Sequence, residues 1–162
     1  APVTLTAYVS TTCGHCARWH ALEWPLIEET WVRTGKVKVV FRDLFTGPLD
    51  ASRNGAVLAR CAPAERFDAT LGALMNSQPT LEQAGGQAAW LRRGVWASGL
   101  TEDQARDCLT DPANVTAAEA RNESSAAAGV QGTPSFFING RPTEAWTAQE
   151  FDAALAAASG AR

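Results

Sequence analysis

The sequence predicts an α/β fold in which one mixed sheet is built from both ends of the chain and interrupted by an all-helical insertion. Three observations carry this. A strand–helix–strand pattern fills the first 47 residues. Residues 48–129 show repeated helix starts and no strand. Strand character then returns around Asn139-Gly140 and is followed by a last helix. The matching division is a discontinuous sheet-bearing domain, 1–47 with 130–162, and a helical domain, 48–129.

Each element has a local reason. Leu5-Thr6-Ala7-Tyr8-Val9 is short and β-prone and ends at the Ser10-Thr11-Thr12 cluster. From Cys13 to Thr34 the pattern is helical, with Trp19, Leu22, Leu26, Ile27 and Trp31 falling broadly on one side. Pro25 removes a backbone donor inside that stretch and kinks it, and Gly35 stops it. Val37-Lys38-Val39-Val40-Phe41 is nearly continuously apolar, which predicts burial on both faces in a parallel pair and completes a βαβ unit. Gly47-Pro48 marks a break.

In the helical stretch, Thr80 with Gln83 and Thr101 with Gln104 have capping-box spacing. Asp111-Pro112 offers an N-cap and a first-turn proline. Leu58, Phe67, Leu71, Leu74, Trp90, Leu91, Val95 and Trp96 supply apolar faces for helix packing. Ser135-Phe136-Phe137-Ile138 is a strand, and Asn139-Gly140 is the strongest two-residue hairpin signal. Pro142 makes the partner an edge strand. Thr147 and Glu150 form a further capping box, opening a helix through about Ala158.

Composition narrows the function classes. The chain has 162 residues, 46% hydrophobic, with a net charge of -3 and both signs interspersed. That lacks the basic stripe of a nucleic-acid binder, and no apolar run reaches the ~18 residues of a membrane span. No signal peptide is visible. The first residues, Ala1-Pro2-Val3-Thr4, are either a mature end left by cleavage after a small residue or an arbitrary boundary.

Four cysteines fall into a close pair, Cys13 and Cys16, and a distant pair, Cys61 and Cys108. If bridged, the distant pair closes a 47-residue loop, worth roughly 4 kcal/mol in the chain-entropy model. Such a bridge persists only in an oxidising compartment. The alternative is two separate buried thiols acting as small hydrophobes.

Cys13-Gly14-His15-Cys16 lies at a strand-to-helix seam, where a reversible dithiol/disulfide works. Unsatisfied N–H groups and the positive end of the helix dipole favour a thiolate on the first sulfur. Cys13 is therefore the exposed nucleophile, and Cys16, one turn later, the inward resolving thiol. His15 adds a cation-capable ring near Cys13. Stabilising the thiolate stabilises the reduced form, so Gly14-His15 points toward the oxidising side of a range from about −270 to about −120 mV. No cofactor is needed. A metal reading remains in which Cys13, Cys16 and His20 hold copper or zinc for a carrier, although the second half of a zinc site is missing.

Together with the later segment Gly132-Thr133-Pro134-Ser135-Phe136-Phe137-Ile138-Asn139-Gly140, these residues resemble the thioredoxin superfamily. The large helical block is similar to that of its DsbA-like branch, the secreted dithiol oxidoreductases. The resemblance implies a thioredoxin-like fold with an inserted helical domain. It also implies a cis Thr133-Pro134 bond against the active-site sulfurs, where the loop blocks metal binding and the backbone of Thr133 pairs with an extended substrate segment. A distal pair such as Cys61 and Cys108 is a structural disulfide in some of these relatives.

Two departures bear on redox poise: Gly14-His15 and Thr133 resemble the isomerases more than the best-known oxidase of the branch. The branch's extra N-terminal strand and any dimerisation domain are not seen in the sequence. The implied function is exchange of a Cys13–Cys16 disulfide with unfolded or partly folded cysteine-containing polypeptides. The implied setting is a bacterial periplasm, with reoxidation by a partner such as a membrane oxidase. Run backwards, the same chemistry is that of an isomerase or reductase. A cytosolic thiol transferase using glutathione is a third reading.

The remaining conspicuous residues are less specific. Trp31 and Trp90 are expected in the core, and Trp19, one turn beyond Cys16, near the active site. Asn114-Val115-Thr116 and Asn122-Glu123-Ser124 match the glycosylation pattern. Asp43 is either a buried proton acceptor for Cys16 or a solvated loop residue.

Overall fold

In the computed structural model, which describes residues 2–160, strands from the two ends of the chain meet in a single mixed sheet. The outermost residues of the expected sheet-bearing domain, 1, 161 and 162, lie outside the described residues. β1 (Val3–Val9) pairs in parallel with β2 (Val37–Asp43) in the register Val3↔Val37 to Val9↔Asp43. It pairs antiparallel with β3 (Ser135–Ile138), which in turn holds β4 (Arg141–Thr143), giving the order β2-β1-β3-β4. Along β1 the period-two alternation buries Val3, Leu5, Ala7 and Val9. β2 departs from expectation. Only Val37 and Asp43 are buried in it, because it is an edge strand among the described residues rather than a central one. At the β3–β4 turn, Asn139 and Gly140 both take positive φ (50° and 80°), the twist that joins two antiparallel strands through two residues.

The expected kinked helix is three pieces: α1 (Gly14–Leu22), α2 (Trp24–Ile27) and a wide turn over Glu28–Val32. The break lies at Glu23, and Pro25 sits in the first turn of α2, where its missing N–H costs nothing. Glu23 then turns its carboxylate to accept from the Ala148 N–H (2.8 Å) at the start of α8 (Ala148–Ala158). The break also rotates the apolar stripe. Trp19, Trp24, Ile27 and Trp31 are buried, whereas Leu22 and Leu26 are 63% and 59% exposed, correcting the single-face expectation. Under the sheet, Trp19 packs on Phe136 (ring centroids 4.7 Å), on Trp24 and on Phe151.

Between β2 and β3 run α3 (Leu49–Cys61), α4 (Phe67–Asn76), α5 (Gly86–Ser98), α6 (Glu102–Thr110) and α7 (Pro112–Ala127). They enclose a second core of Ala51, Leu58, Leu74, Trp90 and Ala105, in which the Trp90 indole donates to the Leu74 carbonyl (2.7 Å). Trp96, expected in a packing face, is 89% exposed. α6 starts with the full Thr101–Gln104 capping box, and Asp111 caps α7. Thr147 caps α8 from the Glu150 N–H, but the Glu150 carboxylate bonds Trp146 instead of closing a box. Thr80–Gln83 is not a cap. Residues Gln78–Glu82 form a 3-10 turn that Gln83 ends, and α5 begins only at Gly86. Cys61, closing α3, is bridged to Cys108 of α6. Among the described residues no helix is long and apolar enough to cross a membrane.

Asp43 is neither a partner of Cys16 nor solvated. Its carboxylate accepts from Arg121 Nε (2.9 Å) and Arg60 Nη2 (3.4 Å), and its carbonyl from Ser125 Oγ (2.6 Å). It thus ties the end of β2 to α3 and α7. Replacing it with Asn should lower the unfolding free energy by about 2 kcal/mol, since charge-assisted bonds at a buried site are lost. Urea unfolding of Asp43→Asn measures this.

Candidate active site

β1 delivers the chain to the turn Ser10–Thr12, and Cys13 is the N-cap of α1 (φ −85°, ψ 121°). In that extended conformation its Sγ accepts from the Cys16 N–H at 3.3 Å, one of the donors that a helix start leaves free. The Thr133 carbonyl lies 3.5 Å from the same sulfur, and the Thr133-Pro134 peptide bond is cis, as is Gly47-Pro48. Cys13 is half-buried, Cys16 fully buried, and both are free thiols.

The two sulfurs are driven apart electrostatically. Cys13 is lowered from the ordinary thiol value to about 5, chiefly by the hydrogen bond from the Cys16 side chain. The Thr133 side chain and the backbone N–H groups of Cys16 and His15 assist, and partial burial opposes. Cys16 moves the other way: burial pushes its thiol far up, and the neighbouring Cys13 charge pushes it further. At neutral pH the pair therefore holds one half-buried thiolate over one fully buried thiol.

His15 brings its backbone N–H to the Cys13 sulfur, and its exposed ring stands edge-on to Trp146 (6.4 Å). Gly14 is exposed. Trp19 is not at the surface of the site but wholly buried beneath it; Trp146, in the connection from β4 to α8, is the aromatic residue at the rim. A cavity of about 210 Å³ next to Pro134 is lined by Phe136, Phe137, Pro142, Thr143 and Trp146. The carrier reading finds no geometry. His20 is buried and places Nε2 on Asp68 (2.8 Å), which also accepts from the Trp24 indole (2.9 Å). Among the described residues no three His, Cys, Asp or Glu side chains are arranged to hold a metal. Asn114 Nδ2 donates to the Cys108 carbonyl (3.0 Å), and Asn122 Oδ1 accepts from the Phe45 N–H (2.7 Å).

Several residues that hold the site were not singled out from the sequence. Ser10 Oγ bonds the hydroxyls of Thr46 (2.8 Å) and Ser52 (2.9 Å), and Thr12 Oγ1 donates to the Thr46 carbonyl (3.2 Å). Gln78 Nε2 donates to the carbonyls of Thr11 (3.0 Å) and Cys13 (2.9 Å). Gly55 of α3 lets that helix close on the turn, since a Cβ there would collide with Thr11 and with Trp90. The hydroxyl run Ser10-Thr11-Thr12 was the available signal. Its partners are distant in sequence, so it reads only as a strand end.

Known proteins resemble this chain in sequence and fold. A family model described as Thioredoxin matches residues 1–157. A Rickettsia bellii protein provisionally named a protein-disulfide oxidoreductase is 27% identical over 155 residues, covering 94% of this chain and 59% of its own length. The chain thus spans less than two thirds of that relative. In the crystal structure of Wolbachia pipientis alpha-DsbA1, the fold superposes with a TM-score of 0.86 at 22% identity, covering 99% of this chain and 87% of that one. Oxidised BdbD from Bacillus subtilis gives 0.84 at 19% identity, covering 99% and 89%.

The split between the two sulfurs has a direct readout. Alkylation of Cys13 by iodoacetamide should rise with pH through a midpoint near 5, set by its lowered pKa, while Cys16 stays unmodified in the folded protein. Mass spectrometry of the alkylated peptides across pH checks both, and equal, sluggish modification of the two would contradict the assignment.

Proposed function

The chain belongs to the thioredoxin family, and on that premise we propose that it is a thiol:disulfide oxidoreductase acting as a dithiol oxidase on exported proteins. The observation that carries the reading is geometric: a half-buried Cys13 sulfur on the Cys16 N–H at a helix start, directly over a buried Cys16 and against the cis Thr133-Pro134 bond, which lowers the first thiol and raises the second. In the oxidised enzyme a substrate thiolate attacks the accessible Cys13 sulfur. The Cys13–Cys16 bond breaks, and Cys16 leaves with the electron pair and takes up a proton, as its buried site requires. A second substrate thiolate then attacks the substrate sulfur of the mixed disulfide. Cys13 departs as a stable thiolate, and the substrate keeps the new disulfide. A low leaving-group pKa speeds that second step and favours the reduced enzyme, which makes the disulfide oxidising.

Further assignments support this reading. Thr133 and Pro134 form the substrate-binding edge: the Thr133 carbonyl is beside Cys13, and the neighbouring cavity is lined mainly by apolar residues and Trp146, along with Thr143 and Glu144. Unfolded or partly folded polypeptides are the substrates, because such an edge reads backbone rather than a particular side chain. Cys61–Cys108 is a structural bridge and favours an oxidising, exported location such as a periplasm. Reoxidation falls to a redox partner, for which a membrane oxidase is the natural class. Residues 48–129 form the helical domain, and 1–47 with 130–162 the domain that carries the cysteines.

The test has two parts. Titrating the dithiol in glutathione buffers should place its potential near the strongly oxidising end, about −120 mV, rather than near about −270 mV. Oxidised protein mixed with a reduced two-cysteine polypeptide should yield substrate disulfide, and reduced Cys16→Ser mixed with a disulfide-bearing polypeptide should accumulate a mixed disulfide, Cys13 displacing one substrate thiolate with no Cys16 thiol left to resolve the bond. A potential near −270 mV reverses the direction to that of a reductase, and absence of any exchange removes the reading.

A further inference from the structure

A carboxamide from the helical insertion reaches the turn on which the Cys13 chemistry depends. Gln78 opens the 3-10 turn after α4, and its Nε2 donates to the carbonyls of Thr11 and Cys13 at 3.0 and 2.9 Å. A primary amide has two N–H donors, which matches two acceptors on one side of a turn. The side chain lies over the active-site dipeptide, since a Cβ on Gly14 would meet Gln78 Oε1 at 4.0 Å. The Cys13 backbone is otherwise held by its N–H on the Ser10 carbonyl (3.2 Å) and by its carbonyl on the Ala17 N–H (3.1 Å). Both of those bonds are local to the turn and the first helical residues. Among the described residues, only Gln78 joins the carbonyls on either side of Thr12 to a second layer of the molecule.

We propose that Gln78 is a positioning residue: from the helical insertion it clamps the backbone around Cys13 and so keeps Sγ on the Cys16 N–H. The proposal rests on the thiol–disulfide reading above. Its physical content is angular. The bond from the Cys16 N–H to the sulfur, at 3.3 Å, exists only while Cys13 keeps its N-cap dihedrals. A carbonyl freed from Gln78 can turn to solvent and take the N-cap with it. The reactivity of the sulfur is thereby tied to how the insertion packs on the sheet.

The test compares Gln78→Met, which keeps the volume and loses both donors, with Gln78→Ala. Thiolate absorbance against pH should show the Cys13 midpoint rising by about one pH unit in both variants, the size of one net hydrogen bond. The glutathione equilibrium should move toward the disulfide by about tenfold, the same shift read as an equilibrium constant. A purely structural role would lower the melting temperature and leave both readouts at the wild-type values; that result overturns the proposal. Should both variants fail to fold, the wild-type protein decides. The Gln78 side-chain amide resonances must then shift with the Cys13 titration midpoint, and resonances indifferent to it overturn the proposal equally. If wild-type Cys13 itself titrates near the free-thiol value of about 8.5, the thiol–disulfide reading fails too. A low wild-type midpoint with unmoved variants removes only the role of Gln78.

Discussion

A single helix start organises this molecule: Cys16 turns both its side chain and its N–H to the sulfur of Cys13. It joins a capping interaction to an ionisation. The first turn of a helix must leave N–H groups without intrahelical partners, and a sulfur placed as the N-cap side chain takes one of them better as an anion than as a thiol. The same turn carries the second sulfur inward, where loss of water has the opposite effect. One backbone geometry thus gives two chemically identical groups opposite protonation states.

That geometry is held from outside the motif. The central strand β1 aims the chain at the turn, but strand pairing ends at Val9. Beyond it, the hydroxyls of Ser10 and Thr12 are fixed by Thr46 and Ser52, and the carbonyls of Thr11 and Cys13 by Gln78. α3 comes close enough to supply Ser52 because Gly55 has no side chain to keep it away from Thr11. The helical insertion therefore forms one wall of the site. It is tied to the sheet again at Asp43, where two arginines from α3 and α7 converge on the end of β2.

The opposite wall is made by the C-terminal strands. The Thr133 carbonyl reaches the Cys13 sulfur, and the connection from β4 to α8 brings Trp146 to the exposed ring of His15. The sulfur is left between an apolar rim on one side and a polar, hydrogen-bonded clamp on the other. That asymmetry suits the proposed exchange with a polypeptide, which would need one surface to receive a backbone and one that does not yield when it arrives.

Features set within one turn of chain are legible in the amino-acid sequence by itself. The order of strands and helices, the hairpin at Asn139-Gly140, the caps at Thr101 and Asp111 and the edge position of Pro142 follow from residue spacing, dihedral preference and a missing N–H. The exposure of Leu22, Leu26 and Trp96, the ion pairs of Asp43, the partner of His20 and the grip of Gln78 on the active-site turn are decided only by the tertiary structure. The physical reason is range. A helix cap or a turn is settled by neighbours in sequence, whereas burial and side-chain pairing depend on which distant segments are brought together, and no local pattern encodes that.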